Sequence, residues 1–459
     1  MILDNIKKVY FIGIGGSSMS SLAEILKMRG YIVSGSDMQQ GEAIKSLRNK
    51  NISLYIGHNA ENVAKESPDI IIKTDAIADN NPELIYAKDN NIPVYRRAEL
   101  LGAILNDYAY TIGVAGTHGK TTTTSMITSI FMAADEDPSA LIGGHMKLID
   151  ASYRIGNNNK YCIFESCEFK ESFLYFKSDI SVILNIARDH MEYFKTLDNL
   201  IKSFRIYLDN TRDLGTVIAN AEDKNSLKML ETYTGTVFTF GLEKGDFTAK
   251  DIKLDKGFPE FDVYFGGVLF GHIKLKVPGR HNVKNALAAI TAGYIAGLDN
   301  ESIIKGINQY NGAGRRFEYH CIINGAVVAD DYGHHPDAYK VTFDTARDLG
   351  FKRIIAIHQP HTFSRTKMLM DEFVSVLKTV DKVLIPPIYP ARETNDLYNV
   401  YSEDIVAKLP NAEYMKDFEQ IADRIKELAE PGDLFITLGC GDIYKAAKLT
   451  TDKYGEKKY

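Results

Sequence analysis

The sequence predicts an α/β protein of three domains, each built around a mostly parallel sheet. Three observations predict it. Apolar runs of strand length alternate with helical spacings along most of the 459 residues. Two of these runs end in glycine-rich turns that open a helix, Gly13-Ile-Gly-Gly-Ser-Ser18 and Gly113-Val-Ala-Gly-Thr-His-Gly-Lys-Thr-Thr122. A chain of this length also corresponds to about three domains at the usual ~150 residues each.

In the first third, Val9 to Ile14 reads as a strand and Gly13 to Met19 as a tight turn. Ser20 to Arg29 has helical spacing, with Gly30 as its stop. Tyr31 to Asp37 and Asp69 to Asp75 are the next strands, completing a βαβ unit of the dinucleotide-binding type. Asp37 lies about 20 residues past the glycines, where such folds set an acid on a ribose hydroxyl. Ser18 stands where the third glycine of the usual fingerprint belongs. The turn therefore suits a UDP-sugar as well as a nicotinamide dinucleotide, and a turn that only packs strand on helix is a third reading. Asn91 to Arg97 reads as a linker into a helix from Ala98 to Asn106, so the first domain is taken as 1–106.

The middle third opens with a strand, Tyr110 to Ala115, and continues past the second turn as a helix from Thr123 to Ala134. A turn of this kind points several backbone N–H groups at one anion, and the helix adds the positive end of its dipole. Gly116, Thr117, His118 and Gly119 form the cradle, Lys120 supplies a cation, and Thr121 or Thr122 offers a hydroxyl to Mg²⁺. The set suits a nucleoside triphosphate, although the strict phosphate-loop spacing needs glycine where this chain has Val114. Tyr161 to Glu165 and Ser181 to Ile186 are further strands. Their carboxyl ends would bring Glu165 and His190 beside Thr121 as oxygen and nitrogen ligands for Mg²⁺. A histidine there is, taken alone, more often a surface residue, and Glu168 reads as a solvated carboxylate. Asn282 and Asn285, three apart at the start of a helix after Pro278, share one face and suit polar readout of a planar ring. Gly312-Ala-Gly314-Arg315-Arg316 reads as a mobile joint, giving domains of 107–312 and 313–459.

The last third is again α/β, with strands at Ala326 to Asp331, Arg353 to His358, Lys382 to Pro386 and Asp433 to Leu438. Each ends near polar residues: Asp330 to Pro336, Gln359 to Arg365, Tyr389 to Glu393 (including Arg392), and Gly439 to Asp442. Function concentrates at such carboxyl edges. The charged tail from Lys453 to Tyr459 is expected to fray.

Composition excludes several classes. A net charge of −6 argues against a general nucleic-acid binder. Cys162, Cys167, Cys321 and Cys440 form no C-x-x-C pair, so neither a zinc site nor a disulfide framework is indicated, and a reducing cytoplasm fits. No apolar run approaches the ~20 residues of a membrane span, and the apolar start leads straight into glycines as a strand does, not as a signal peptide. No G-x-S-x-G nucleophile elbow occurs.

Across nearly its whole length the chain resembles the Mur ligases of bacterial peptidoglycan synthesis. The resemblance rests on Gly13-Ile-Gly-Gly-Ser-Ser-Met-Ser20, Ser34-Gly-Ser-Asp37, Ala115-Gly-Thr-His-Gly-Lys-Thr-Thr-Thr123, Asp189-His-Met191, Gly279-Arg-His-Asn-Val-Lys-Asn-Ala286, Gly314-Arg-Arg-Phe-Glu318, Asp330-Asp-Tyr-Gly-His-His-Pro336 and Gln359-Pro-His361. It accounts for Val114, because that family builds its loop on Gly-Thr-x-Gly-Lys-Thr. It implies a Rossmann-like N-terminal domain for the UDP-substrate, a P-loop ATPase-like central domain and a Rossmann-like C-terminal domain for the amino acid. It implies that ATP, UDP-N-acetylmuramate and L-alanine give UDP-N-acetylmuramoyl-L-alanine, ADP and phosphate through an acyl phosphate. By the same resemblance Lys120 sits on the β/γ-phosphates, Thr121 and Glu165 hold one Mg²⁺ and His190 a second. Asn282 and Asn285 read adenine, and Arg316 and Asp331 meet ATP. Gly15, Ser18 and Asp37 serve the UDP, while Tyr332, His334 and Arg365 meet the muramoyl part and the alanine. A cytoplasmic monomer or weak homodimer is expected.

The departures are Ser18, Thr74-Asp75 where many members have two serines, and Thr362 where many have arginine. An extra carboxylate at Asp75 would oppose a diphosphate unless it faces away. One rival is murein tripeptide ligase, whose members tend to carry Asp-Asp-Phe-Ala-His-His and Gly-Glu-His-Asn. This chain has Tyr332-Gly333 and Arg280-His281 there, which favours alanine. A nicotinamide-dependent oxidoreductase would leave Lys120, Glu165 and His190 without a role.

Overall fold

The computed structural model describes residues 2–391 and 393–458; Met1, Arg392 and Tyr459 lie outside the described residues. The chain divides into two compact units. One is Met1–Gly143 with Ile149–Thr239 and Ile295–Gly297; the other is Gly144–Leu148 with Phe240–Tyr294 and Leu298–Tyr459.

The first unit opens with five strands: β1 (Lys8–Ile12), β2 (Ile32–Asp37), β3 (Ser53–Ile56), β4 (Ile70–Lys73) and β5 (Val94–Arg96). They lie in the order β3-β2-β1-β4-β5, all parallel. A parallel sheet needs cover on both faces. Val9 and Phe11 of β1 accordingly enter one core and Tyr10 and Ile12 the other. Strand order reverses at β1, and there the turn Gly13–Gly16 leads into helix Ser17–Met28. The segment expected to be a linker contains β5, which pairs with β4 through Ile71, Ile72 and Lys73. It is a three-residue edge strand with Val94 exposed, so it carries no apolar pattern to read.

Next come β6 (Tyr110–Ala115), β7 (Ser139–Met146), β8 (Ala151–Arg154), β9 (Tyr161–Glu165), β10 (Ser178–Ile183) and β11 (Thr211–Asn220). Here β6 lies between β10 and β9, parallel to both. The strand expected over Ser181 to Ile186 is shifted. It ends at Ile183, and Leu184 N donates to Ala115 O at 3.0 Å as the chain turns across the end of β6. Helix Lys120–Ala133 starts at the lysine itself and is buried on nearly all sides. Ser125 and Thr128 satisfy their hydroxyls by donating to the carbonyls of Thr121 and Thr124, both at 2.8 Å, whereas the buried hydroxyls of Thr123 and Thr124 have no hydrogen-bond partner among the described residues.

β12 (Thr236–Gly241) begins in the first unit, and the second unit continues with an antiparallel meander of β13 (Phe247–Asp255), β14 (Phe258–Phe265) and β15 (Val268–Lys274). Helix His281–Ile295 follows. The last sheet comprises β16 (Glu318–Ile323), β17 (Ala326–Asp331), β18 (Arg353–His358), β19 (Lys382–Ile385), β20 (Ala412–Tyr414), β21 (Asp433–Leu438) and β22 (Lys457–Lys458). Its order is β20-β19-β18-β21-β17-β16-β22, parallel from β20 to β17. The tail expected to fray is instead anchored. Lys457 and Lys458 pair with Ile322 and Cys321, and Lys453 bridges Glu419 and Asp423. Among the described residues no helix is long and apolar enough to cross a membrane.

Candidate active site

The turn after β6 is shaped by its own glycines and by the chain after β10. Gly116 has φ +142°, and a Cβ there would come within 3.0 Å of Leu184. Gly119 caps helix Lys120–Ala133 at φ +88°. Asn185 then fastens the loop. Its carbonyl accepts from Thr117 N at 3.0 Å, its Oδ1 accepts from His118 N at 2.9 Å, and its Nδ2 donates to His118 O at 3.0 Å. Thr117 Oγ1 accepts from Ala187 N at 2.9 Å. Gly119, the N-cap residue, has no side chain to cap the helix, so its first turn keeps backbone donors and the positive dipole end for an anion.

Lys120 crosses the turn. Its Nζ donates to Gly116 O at 2.5 Å and to both oxygens of Glu168, at 2.9 and 3.1 Å. Glu168 is only 1% exposed, so it is not the solvated carboxylate its loop position suggested. Burial on its own would push the Lys120 ammonium down. Glu168, Cys167 and Glu165 outweigh burial and hold its pKa above the ordinary range, so Lys120 is a permanent cation.

Glu168, Asp189 and His190 converge, with ligand atoms within 4.8 Å of one another. His190 takes a left-handed conformation (φ 55°), its N–H donates to Asp189 Oδ1 at 2.8 Å, and its ring lies 4.7 Å from that of Phe169. Burial opposes its protonation, but Glu192, Asp189 and Glu168 more than offset this and raise its pKa. Two carboxylates and an imidazole suit a hard divalent cation, and the neighbouring ammonium suits the phosphates such a cation accompanies. Glu165 stands outside this cluster, its Oε1 accepting from Gly143 N at 2.8 Å, but within reach of the Lys120 charge. Thr121, the hydroxyl expected beside them, is buried in the first helical turn.

At the carboxyl edge of the first sheet, Gly15 N donates to Asp37 Oδ2 at 2.8 Å, so these two expected residues do meet. A Cβ on Gly15 would lie 2.9 Å from that oxygen. Ser18 Oγ accepts from Arg97 Nη1 at 2.9 Å. Asp75, the unwelcome carboxylate, lies 4.0 Å from the Arg96 guanidinium, which offsets its charge.

The second unit gathers the remaining residues in two places. Asn285 Nδ2 donates to Asn282 Oδ1 at 2.9 Å, and Asn282 Nδ2 to Pro278 O at 2.7 Å. Arg316 is near enough to both His281 and Asp331 for its charge to be felt there. Burial raises the Asp331 carboxyl pKa, while Arg316 and the amides of Gly333 and Phe317 pull the other way. Tyr332 stacks under Arg316 at 5.0 Å and meets the His334 ring at 5.7 Å. Arg365 lies on the short helix Phe363–Met368, capped by Thr362. Thr362 sits at φ +63° and is tied through Tyr389 O to the His361–Tyr389 stack.

Sequence reasoning gave no role to Asn185 or Asp189. Their roles follow from β10 lying next to β6, an adjacency that spacing along the chain does not encode.

Three family models match the chain. "Mur ligase family, catalytic domain" covers residues 8–109, "Mur ligase middle domain" 114–293 and "Mur ligase, glutamate ligase domain" 315–441. The chain is 44% identical to a UDP-N-acetylmuramate–L-alanine ligase of Acetivibrio thermocellus, over 96% of this chain and 95% of that one. It is 42% identical to the enzyme of the same name from Clostridium tetani, over 97% and 98%. A crystal structure of UDP-N-acetylmuramate-alanine ligase from Thermotoga maritima superposes with a TM-score of 0.82 at 28% identity, covering 97% of this chain and 98% of that one. With these matches spanning all three sheets, the chain belongs to the Mur ligase family.

Proposed function

We propose that this protein joins L-alanine to the lactyl carboxylate of UDP-N-acetylmuramate, using ATP, in peptidoglycan precursor synthesis. The observation that carries the reading is the buried Lys120–Glu168 pair on the glycine turn, with Asp189 and His190 converging on the same carboxylate. A carboxylate is a poor acyl donor because its leaving group would be oxide, and phosphorylation replaces oxide with phosphate. A lactyl carboxylate oxygen bonds to the γ-phosphorus as the P–O bond to ADP breaks. The amine of alanine then bonds to the acyl carbon through a tetrahedral intermediate, phosphate leaves, and the amine gives up a proton. Such chemistry needs positioning and charge neutralisation more than a protein nucleophile.

In this reading Lys120 neutralises the β/γ-phosphates, and Gly116 to Thr122 wrap them. Thr121 and Glu165 would hold one Mg²⁺ and His190 a second, with Glu168 and Asp189 beside His190; the ions would neutralise phosphate charge. Asn282 and Asn285 read adenine, and Arg316 and Asp331 meet ATP. Gly15, Ser18 and Asp37 bind the UDP, Tyr332 and His334 the muramoyl part, and His334 and Arg365 the alanine. The three functional domains are 1–106, 107–312 and 313–459. The protein works in the cytoplasm as a monomer or weak homodimer. The names and 41–44% identity of the full-length relatives support the substrate pair. The test is an amino-acid panel with ATP and UDP-N-acetylmuramate, reading phosphate release. Alanine-selective release is expected, and selectivity for a preformed peptide, or no release, would overturn the assignment.

A further inference from the structure

Arg315 follows the glycines of the joint and precedes the ATP-side Arg316. Its backbone is left-handed at φ 58°, and its carbonyl accepts from Tyr332 N at 2.7 Å. Each nitrogen of its guanidinium is engaged. Nε donates to Asp330 Oδ2 at 2.8 Å, Nη2 to Gly439 O at 2.6 Å and Nη1 to Gly441 O at 3.3 Å. The guanidinium carbon lies 4.9 Å from the Tyr332 ring centroid and 4.8 Å from that of Tyr444. Asp330 is fully buried, and Thr437 Oγ1 donates to its other oxygen at 2.5 Å.

One side chain thus ties together the ends of β17 and β21. Neighbouring β18 joins them through Gln359, whose Nε2 donates to Asp442 Oδ1 at 2.9 Å and whose Oε1 accepts from Ile443 N at 3.1 Å. The carboxyl ends of adjacent parallel strands are where an open α/β sheet binds its ligand. A guanidinium committed to two glycine carbonyls, a buried carboxylate and two ring faces is built to hold a turn, not to take up a phosphate. We infer that Arg315 is a positioning residue for amine transfer: it sets the Gly439–Gly441 turn at the carboxyl edge that carries the amino-acid site, steadies the Tyr332 ring on the muramoyl side, and takes no part in phosphoryl transfer. The inference rests on the proposed function.

Arg315→Lys is the informative change. A lysine can pair with Asp330 as a point charge, but it cannot fork to two carbonyls while stacking between two rings. The full-length enzyme separates the half-reactions. Hydroxylamine traps the acyl phosphate formed from ATP and UDP-N-acetylmuramate without alanine, and phosphate release against alanine concentration reads the second step. R315K is expected to raise the alanine KM about tenfold, the scale of one lost charge-assisted contact, with hydroxamate formation within about twofold of wild type. Y444L, which removes one ring face at the surface, should move the alanine KM in the same direction by less, and Y444F should restore it. An unchanged alanine KM in R315K, or an equal fall in both half-reactions in R315K and Y444L, overturns the inference alone. A wild-type protein that yields no hydroxamate overturns the proposed function and the inference with it.

Discussion

Replacing Asn185 tests whether the glycine turn works as a pre-shaped phosphate cradle. The side chain makes two bonds to one peptide unit of the loop, accepting from His118 N at 2.9 Å and donating to His118 O at 3.0 Å. The third anchor, Thr117 N to the Asn185 carbonyl, is backbone and survives substitution. Asn185→Ala removes two ordinary hydrogen bonds, each worth about 0.5–1.5 kcal/mol net. The loss of loop order is then about 1–3 kcal/mol, or roughly 5- to 150-fold in kcat/KM for ATP. Because the loop must be ordered for ground state and transition state alike, the change should fall mainly on KM. Asn185→Asp sharpens the test. It keeps the acceptor for His118 N but loses the donor to His118 O and adds a negative charge beside an anion site, so it should be worse than alanine. The assay is steady-state phosphate release with ATP varied at saturating UDP-N-acetylmuramate and alanine, with Tm as a control on folding. An alanine variant within about twofold of wild type in kcat/KM for ATP, or an aspartate variant better than the alanine one, would refute the reasoning.

Lys120→Ala should abolish alanine-dependent ADP release while circular dichroism reports an intact fold; ordinary turnover in that variant would remove the phosphate role of the loop. Glu168→Gln takes one of two carboxylates from the Glu168–Asp189–His190 cluster, a loss of about 1.5–3 kcal/mol for a contact to charge. Half-maximal activity should then need roughly 10- to 150-fold more Mg²⁺, and an unchanged Mg²⁺ titration would contradict the cluster's assignment. His358 is buried, bonded through Nδ1 to Tyr339 OH at 2.6 Å and packed on Phe373, and burial pushes its imidazole down to about 3. The unfolded chain therefore binds one more proton below the ordinary pKa of about 6.5. Stability on this account is lost as pH falls from about 6.5 toward the folded value, by about 1.4 kcal/mol per pH unit. Between pH 6.5 and 5 the stability advantage of wild type over His358→Gln should shrink by about 2 kcal/mol in urea unfolding, and a constant gap would show that His358 is not held neutral.

What the sequence could disclose about this site divides along a physical line. The glycine turn and its lysine were legible because their chemistry is local. Left-handed glycines, a helix start and one cation lie within a handful of consecutive residues. Asp37 was legible for a related reason, since a βαβ unit fixes the distance from its glycines to the next strand end. Asn185 and Asp189 were not, although both stand in plain view in the chain. They matter because β10 lies against β6, and that pairing is a decision of the whole sheet. Glu168 shows the stronger case. A glutamate after a strand is by default solvated, and only its burial against an ammonium turns it into part of a charge cluster. The same logic explains the errors at β5 and at the C-terminal tail. A short exposed edge strand and a run of lysines have no apolar pattern, so their pairing is decided by the partner strand's free backbone groups, not by their own side chains. Arg315 belongs with Glu168: adjacent to an arginine with an expected role, it is distinguished only by what surrounds its guanidinium. In this protein the glycine turn and its lysine stand out by motif, whereas the residues that hold them in place are identified by their partners across strands, and it is on the second group that substitutions will separate a correct account of the site from a merely plausible one.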